Sequence, residues 1–201
     1  MIELSAKNLN LFTLRNFLEV QTCRDLIAEG RSAPTTRAPV YIKGSDEAIH
    51  ETVRKTTSFH PAQETITQIH QRLLTLKSAL EMHFGLSLTD CEPPQFLRYE
   101  PGDFFVRHQD GNTEQLEFDH LRIRRISLIV FLNDHAAKAK ENCYSGGALN
   151  LYDKDNMPPD GPAPFPFFGE TGLLVAFRAD TMHEVAPVAS GERFTIISWF
   201  R

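Results

Sequence analysis

The sequence has few cysteines, no excess of positive charge and no long hydrophobic run. Its three cysteines are odd in number and show no CxxC spacing, which disfavours a disulfide framework or a zinc knuckle and favours a reducing compartment. Lysine and arginine total 21 against 26 acidic residues, so the net charge is -5. Because nonspecific nucleic-acid affinity comes from clustered basic residues, we expect no nucleic-acid partner.

No run approaches the roughly 18 apolar residues of a membrane-spanning helix, and the first part of the chain lacks a signal-peptide apolar block. We therefore expect no membrane partner and a cytoplasmic location. The 201 residues, 41% of them hydrophobic, are enough for one hydrophobic core. We expect a single domain over residues 1–201.

Residues 1–95 have the hydrophobic pattern of helices. One helix is predicted over Asn16–Gly30, and a second follows Pro61 and ends at Gly85. In the second, apolar side chains recur at every third or fourth position, as on one face of a helix, and this face is interpreted as core packing. The positions are Ile66, Ile69, Leu73, Leu76 and Leu80.

Residues 96–201 instead have the pattern of short strands, which indicates a sandwich or barrel. Two long loops, Gly111–Arg125 and Asp153–Glu170, have the length of lids or disordered segments. The pattern as a whole predicts an α+β, mainly β protein, with 1–95 as helical support and 96–201 as the core. The predicted strands are a segment around Phe104–Asp110, then Ile126–Leu132, Ala148–Tyr152, Gly172–Phe177, Glu184–Val188 and Arg193–Phe200.

One histidine, His108, has an acid two residues later, Asp110. About one such triplet is expected by chance at this composition, so its strand context gives it weight. Because alternate residues of a strand share a face, Phe104, Val106, His108 and Asp110 are expected to point the same way. An imidazole and a carboxylate would then lie side by side as candidate metal ligands.

A third ligand can come from His183, just before the predicted strand Glu184–Val188. Two imidazoles and one carboxylate form the facial triad of non-haem Fe(II) oxygenases, which leaves coordination positions open. Zinc is the poorer candidate metal because no general-base motif such as HExxH accompanies the pair. A purely structural histidine is the alternative interpretation of His183.

The strand Arg193–Phe200 places Arg193, Thr195, Ile197 and Trp199 on one face. An arginine among apolar neighbours needs an anion, and its planar guanidinium pairs bidentately with a carboxylate. Thr195 can add a hydroxyl to the same anion. A solvated arginine at a strand edge is the alternative interpretation.

Five segments carry a wider pattern: FLRYEPGDFFVRHQD (96–110), RRISLIVFLND (124–134), GGALNLYD (146–153), LLVAFRADTMHEVAPV (173–188) and ERFTIISWF (192–200). In order and character they resemble the prolyl 4-hydroxylase-like branch of the Fe(II)/2-oxoglutarate dioxygenases. The segment VRKTTSF (53–59) resembles this family more loosely.

The resemblance implies a double-stranded β-helix, which is a jelly-roll barrel, with flanking N-terminal helices. It implies Fe(II) held by His108, Asp110 and His183, with 2-oxoglutarate as cosubstrate, dioxygen as oxidant and L-ascorbate as a candidate reductant. Because halogenating relatives replace the acid by a small residue, Asp110 favours hydroxylation over halogenation.

The resemblance also assigns the cosubstrate site. It implies that Arg193 and Thr195 hold the distal carboxylate of 2-oxoglutarate and that Tyr99 hydrogen-bonds the cosubstrate; a core aromatic is the alternative interpretation of Tyr99. Some prolyl hydroxylases have a tyrosine where this chain has Phe131. A hydroxyl contact from that position is therefore lost, and either the other residues suffice or another group replaces it.

The reaction that the resemblance implies is hydroxylation of an unactivated C–H bond, with a prolyl residue of a peptide or protein as the first substrate choice. A free amino acid or small metabolite is the second choice. A non-catalytic, cupin-like module that binds a metal or small acid, or a hydrolase or isomerase using another metal, stays open. Arg122, Arg124 and Arg125 could meet an anionic substrate, and a solvated, charged loop end is the alternative interpretation. Repair-type dioxygenases have an arginine where Trp199 stands here, so nucleic acid is disfavoured.

Overall fold

The structure is a computed structural model that describes residues 9–39, 50–111, 119–138, 140–153 and 163–201. Parts of the two long predicted loops, 112–118 and 154–162, lie outside the described residues, as does the start of the chain, 1–8. No helix among the described residues is long and apolar enough to cross a membrane.

The described residues are mainly β, with few helices. The helices are α1 (Val20–Ser32), α2 (Gln63–Leu74), α3 (Lys77–Phe84) and the short α4 (Asp119–Arg122). The strands are β1 (Phe12–Leu14), β2 (Thr35–Arg37), β3 (Arg54–Lys55), β4 (Thr57–Phe59), β5 (Gln95–Tyr99), β6 (Phe104–His108), β7 (Ile126–Phe131), β8 (Asp134–His135), β9 (Cys143–Gly146), β10 (Leu149–Tyr152), β11 (Phe165–Phe167), β12 (Leu174–Arg178), β13 (Met182–Val185), β14 (Val188–Ser190) and β15 (Arg193–Phe200).

The strands pair into two large sheets and one small sheet. The seven-stranded sheet has the order β1-β12-β7-β15-β5-β4-β2, and the five-stranded sheet has the order β11-β10-β13-β6-β3. The small sheet, β14-β9-β8, contains the parallel pair of β8 and β9. The two large sheets stay separate in their pairing, so closure into a jelly-roll barrel stays a prediction.

Strand β7 has a buried residue at every position, as its nearly continuous apolar sequence predicts. Alternate residues of this strand belong to two different cores. Val130 packs in a cluster with helix residues such as Leu80, whereas Phe131 packs with Leu149 of the five-stranded sheet. The helices therefore cover one face of the seven-stranded sheet, and the five-stranded sheet covers the other.

The predicted apolar face of the second helix is confirmed, but it spans two helices. Helix α2 ends at Leu74 and α3 begins at Lys77, while the apolar side chains of both pack into one cluster. Gly85 ends α3 in the left-handed conformation, with φ of 64° and its N–H donated to the carbonyl of Glu81.

Residues 1–95, predicted to be mainly helical, also contribute short strands to both large sheets. Strands β1, β2 and β4 from this half join the seven-stranded sheet, and β3 joins the five-stranded sheet. None exceeds three residues, and β2 is exposed throughout, so too little alternation exists for a sequence pattern to show.

Candidate active site

A cavity of about 500 Å³ is lined by residues of both large sheets, and this volume is in the range of small-molecule sites. Ile129, Ile197 and Trp199 contribute apolar side chains to its lining. The structure also brings all six predicted site residues to this cavity: Tyr99, His108, Asp110, His183, Arg193 and Thr195.

Three of these side chains form a cluster. His108 ends β6, Asp110 follows by two residues, and His183 in β13 is the direct cross-strand partner of His108. Nε2 of His108 lies 3.5 Å from Asp110 Oδ1, and Nε2 of His183 lies 3.5 Å from Oδ2. All three candidate ligand atoms lie within 4.8 Å of one another, so a single metal ion could bind them together.

The other nitrogen of each imidazole is already hydrogen-bonded. Nδ1 of His108 lies 2.7 Å from the carbonyl oxygen of Val106, and Nδ1 of His183 lies 2.9 Å from that of Thr181. A carbonyl oxygen only accepts, so each Nδ1 carries the hydrogen, and in the neutral form of each ring Nε2 presents a lone pair. Two imidazole lone pairs and a carboxylate then face one another, an arrangement that a bound cation stabilises.

Burial and neighbouring groups set the protonation states of this cluster. Burial, together with His108, lowers the pKa of His183 to about 4, which leaves its imidazole neutral at pH 7. Burial alone would raise the pKa of Asp110, but His183, His108 and Arg124 outweigh it and hold that pKa below its ordinary value. Ser127 donates its hydroxyl to Asp110 Oδ2 at 2.7 Å. Neutral imidazole and ionised carboxylate are the states that metal binding requires.

The predicted inward-facing set of β6 is confirmed for His108 and wrong for Phe104 and Val106. Phe104 and Val106 are absent from the cavity lining, and Val106 is 39% exposed. Phe105 lines the cavity instead and stacks on the His108 imidazole, with ring centroids 3.6 Å apart. The cause is a β-bulge, because three residue steps from Phe105 to His108 pair with only two steps on β13. One extra residue reverses which side chains face inward.

His183 lies inside a strand rather than before one. The predicted strand Glu184–Val188 is divided between β13, which begins at Met182, and β14, which begins at Val188. Pro187 separates the two, and proline lacks the N–H that continuous pairing needs.

Arg193 has a buried guanidinium with no carboxylate partner among the described residues. The residue is 1% exposed, and Nη1 donates to Thr195 Oγ1 at 3.5 Å, whereas Nε and Nη2 are buried without a partner. Its Cζ lies 5.1 Å from the ring centroid of Tyr99 and 5.2 Å from that of Phe131. Nε–H and Nη2–H point from the same edge of the guanidinium and match the two oxygens of a carboxylate. Since an unpaired buried charge is strongly unfavourable, this site fits a carboxylate ligand.

The hydroxyl of a tyrosine in another strand lies close to the ring of Phe131. Tyr144 of β9 is fully buried, and its ring centroid is 5.9 Å from Arg193 Cζ. Its hydroxyl adjoins Gly169 and the Arg193 guanidinium but forms no hydrogen bond of ordinary length and angle with the described residues. A Cβ on Gly169 would lie 2.4 Å from Phe131 Cδ1 and 2.6 Å from Tyr144 Oη, so these two atoms adjoin one glycine. Burial raises the pKa of Tyr144 although Arg193 opposes this, so the hydroxyl stays protonated and can donate. Sequence reasoning missed this residue.

Arg124, one of the three arginines predicted to meet an anionic substrate, is already paired with a carboxylate. Arg124 forms a bidentate ion pair with buried Glu92, with Nε–Oε1 and Nη2–Oε2 distances of 2.8 and 2.6 Å, and its Cζ lies 3.6 Å from the Trp199 ring centroid. Glu92 is 32 residues away in sequence, so no local pattern indicates the pair. A different arginine, Arg54, lines the cavity and was not identified as a site residue from the sequence.

Known proteins with similar sequences and structures include several hydroxylases. A PKHD-type hydroxylase from Sphingopyxis alaskensis is 25% identical over 185 residues, which cover 90% of this chain and 73% of that protein. Another from Burkholderia thailandensis is 28% identical over 184 residues, which cover 91% and 73%. The crystal structure of a Pseudomonas putida prolyl-4-hydroxylase has a TM-score of 0.69 and 25% identity, and the match covers 100% of this chain and 98% of that one.

The family model described as the 2OG-Fe(II) oxygenase superfamily matches residues 94–201, which is more than half of the chain. The matched segment contains the His108, Asp110 and His183 cluster and the unpaired guanidinium of Arg193. The chain is therefore a member of the 2OG-Fe(II) oxygenase superfamily, whose enzymes use ferrous iron, 2-oxoglutarate and dioxygen.

Proposed function

We propose that this 2-oxoglutarate-dependent oxygenase hydroxylates an unactivated C–H bond of a prolyl residue in a peptide or protein. The observation that carries the proposal is that one cavity contains both a two-histidine, one-carboxylate cluster and a buried guanidinium with a free edge. The prolyl substrate is supported by similarity to PKHD-type hydroxylases and to a prolyl-4-hydroxylase. A free amino acid or small metabolite is the alternative substrate.

In this proposal, His108, Asp110 and His183 are the protein ligands of ferrous iron. The support is that both Nδ1 atoms are held by backbone carbonyls, which leaves Nε2 as the metal-facing nitrogen on each ring. Ferrous iron with 2-oxoglutarate and dioxygen supplies, when bound, the oxidant that converts a C–H bond to C–OH. L-ascorbate as a reductant stays a prediction.

The distal carboxylate of 2-oxoglutarate is assigned to the free edge of Arg193. Thr195 supplies a hydroxyl group beside that guanidinium, and the ring of Tyr99 lies next to it. The hydrogen bond from Tyr99 to the cosubstrate stays a prediction. We propose that Tyr144 provides the hydroxyl that Phe131 lacks, because its buried Oη adjoins Phe131 and the Arg193 guanidinium and forms no hydrogen bond of ordinary geometry with the described residues.

Apolar side chains protect the reacting groups from water. The apolar side chains that line the cavity include Phe105, Ile129, Ile197 and Trp199. Excluding water strengthens the charge-assisted contact to Arg193 and limits side reactions of a strong oxidant. A non-catalytic cupin-like module would lack a ligand or the cosubstrate arginine, and this chain has both.

We also propose that residues 1–201 form one domain with a jelly-roll, double-stranded β-helix core. Its support is the full-length similarity to the Pseudomonas putida structure and the hydrophobic cluster that joins the two large sheets. A cytoplasmic location and the lack of nucleic-acid or membrane partners stay predictions.

A panel of proline-containing peptides, free proline, related amino acids and small metabolites tests the function. We expect one member to gain a single oxygen atom from ¹⁸O₂, with matching conversion of 2-oxoglutarate to succinate. The Asp110→Ala variant is the control and should incorporate no label. Labelled product from that variant, or no product from any member, would contradict the proposal.

A further inference from the structure

A second buried arginine, Arg54 of β3, lines the same cavity as the predicted iron ligands. It is 8% exposed, and Nη1 donates to the carbonyl oxygen of Pro39 at 3.0 Å. Nε and Nη2 are buried and have no hydrogen-bond partner. Among the described residues, no carboxylate forms an ion pair with this guanidinium.

The unused atoms are again the pair on one edge of the guanidinium. Nε–H and Nη2–H diverge little, so they donate together to the two oxygens of a carboxylate. A buried cation without an anion is strongly unfavourable, and the single contact to Pro39 does not neutralise the charge. The structure therefore holds Arg54 in a state that an anionic ligand would stabilise.

Packing connects this guanidinium to the predicted iron ligands. Cζ of Arg54 lies 4.9 Å from the Phe105 ring centroid, and that ring stacks on His108 at 3.6 Å. Arg54 and Phe105 are also direct partners across β3 and β6. An anion on Arg54 is therefore one aromatic ring away from the predicted metal ligands.

The two guanidinium groups with unpaired nitrogen atoms in the cavity belong to different sheets. Arg193 belongs to the seven-stranded sheet and is assigned to 2-oxoglutarate, whereas Arg54 belongs to the five-stranded sheet and has no role in that assignment. Other positive groups of the lining are less suited to a ligand, because Arg124 is paired with Glu92 and Arg107 is exposed and lies over Tyr152.

We infer that Arg54 binds a carboxylate of the substrate, so that the substrate is a prolyl compound bearing a carboxylate close to the oxidised ring. This inference rests on the proposed function. The carboxylate can be the α-carboxylate of free proline or of a chain-terminal proline, or the side chain of an acidic residue beside the proline. All three present the same pair of carboxylate oxygens to the Nε and Nη2 edge of the Arg54 guanidinium.

The test is a binding experiment without turnover. Protein loaded with Fe(II) and 2-oxoglutarate is titrated anaerobically, by calorimetry, with three matched probe pairs. These are L-proline and L-prolinamide, a proline-terminated peptide and its amide, and a prolyl peptide with aspartate or with asparagine beside the proline. We expect one carboxylate probe to bind about 10- to 100-fold more tightly than its amide partner.

Arg54→Gln should abolish the preference for the carboxylate probe over its amide partner. Arg54→Lys should retain only part of it, because lysine keeps the positive charge but lacks the planar guanidinium that donates to two oxygens. Arg107→Gln is the matched control: it removes one positive charge from the same cavity and should leave the preference intact. The pair that shows the preference identifies the source of the carboxylate.

A wild-type protein that binds no carboxylate probe more tightly than its amide overturns the inference, even if Arg54→Gln fails to fold. A preference that survives in Arg54→Gln overturns it as well. Loading with Fe(II) and 2-oxoglutarate is measured first in each variant. Failure of the wild type to load contradicts the proposed function, whereas normal loading without a carboxylate preference contradicts only this inference.

Discussion

At the scale of single residues, the site consists of side chains whose polar atoms are not satisfied within the chain. Among the described residues, two nitrogen atoms of Arg193 and the hydroxyl of Tyr144 form no hydrogen bond of ordinary geometry, and His108 and His183 both direct Nε2 at Asp110. Buried polar atoms normally have partners, so such a concentration of unused atoms indicates bound ligands.

Replacing Arg193 by glutamine should raise the 2-oxoglutarate concentration needed for half-maximal turnover by about 10- to 100-fold, through loss of a charge-assisted bidentate pair. Fe(II) binding should change little, because Arg193 is not among the predicted ligands. The measurement is 2-oxoglutarate consumption against concentration. Arg178→Gln, at a partly exposed residue of β12, is the control. An unchanged requirement would place the anion site elsewhere.

Removing only the hydroxyl, in Tyr144→Phe, should weaken 2-oxoglutarate binding by about 2- to 10-fold. The thermal midpoint should stay the same or rise slightly, because the variant no longer buries an unsatisfied hydroxyl. Parallel calorimetric titration and thermal unfolding check both results. A lower midpoint with unchanged cosubstrate affinity would make Tyr144 a purely structural residue.

At the scale of elements, strand β15 has the bounds that alternation of its residues predicts, and β7 differs by one residue. Both are long and apolar, so tertiary packing agrees with the local pattern. The bulge in β6 was not predictable, because it exists only in the pairing with β13. The pairing of Arg54 with Phe105 likewise depends on a two-residue strand that has no pattern of its own.

In the segment between β11 and β12, Gly169 packs against Phe131 and Tyr144 at the proposed cosubstrate site. Gly169→Ala should reduce the free energy of unfolding by about 1–3 kcal/mol, because its Cβ would overlap the buried Phe131 ring and Tyr144 hydroxyl. The added Cβ should also displace the Tyr144 hydroxyl and so weaken 2-oxoglutarate binding. Denaturant unfolding and calorimetry measure the two effects.

Gly85→Ala is the control for Gly169→Ala. Gly85 has φ of +64°, and a Cβ added there would meet no atom within 4 Å beyond its neighbours in the chain, so alanine introduces only backbone strain. We expect a loss of about 1 kcal/mol of stability and unchanged cosubstrate binding. Equal effects of both variants on 2-oxoglutarate binding would refute the assigned role of Gly169.

At the scale of the whole molecule, the cavity joins two sheets that have separate strand pairing. The predicted iron ligands are on or beside the five-stranded sheet, and Arg193, Thr195 and Tyr99 are on the seven-stranded sheet. The main core, between the helices and the seven-stranded sheet, contains none of these residues. The protein should therefore fold without metal, and ligands should add stability by holding the sheets together.

Mn(II) with 2-oxoglutarate should raise the thermal midpoint of the wild type. At a hundred times the dissociation constant, linkage gives about 2.7 kcal/mol. That stabilisation corresponds to a shift of roughly 5–10 °C for a chain of this size. Differential scanning fluorimetry with and without EDTA measures the shift, and Asp110→Ala is the control that should show none. Unfolding on addition of EDTA would instead make the metal part of the core.

The most direct test of the central claim is an anaerobic titration of the protein with Fe(II) and 2-oxoglutarate, followed by visible absorption. If His108, Asp110 and His183 hold iron beside a diacid bound to Arg193, the wild type develops the weak charge-transfer band of an iron-bound 2-oxo acid, whereas Asp110→Ala and His183→Ala do not. No band in the wild type, or the same band in both variants, would contradict the account.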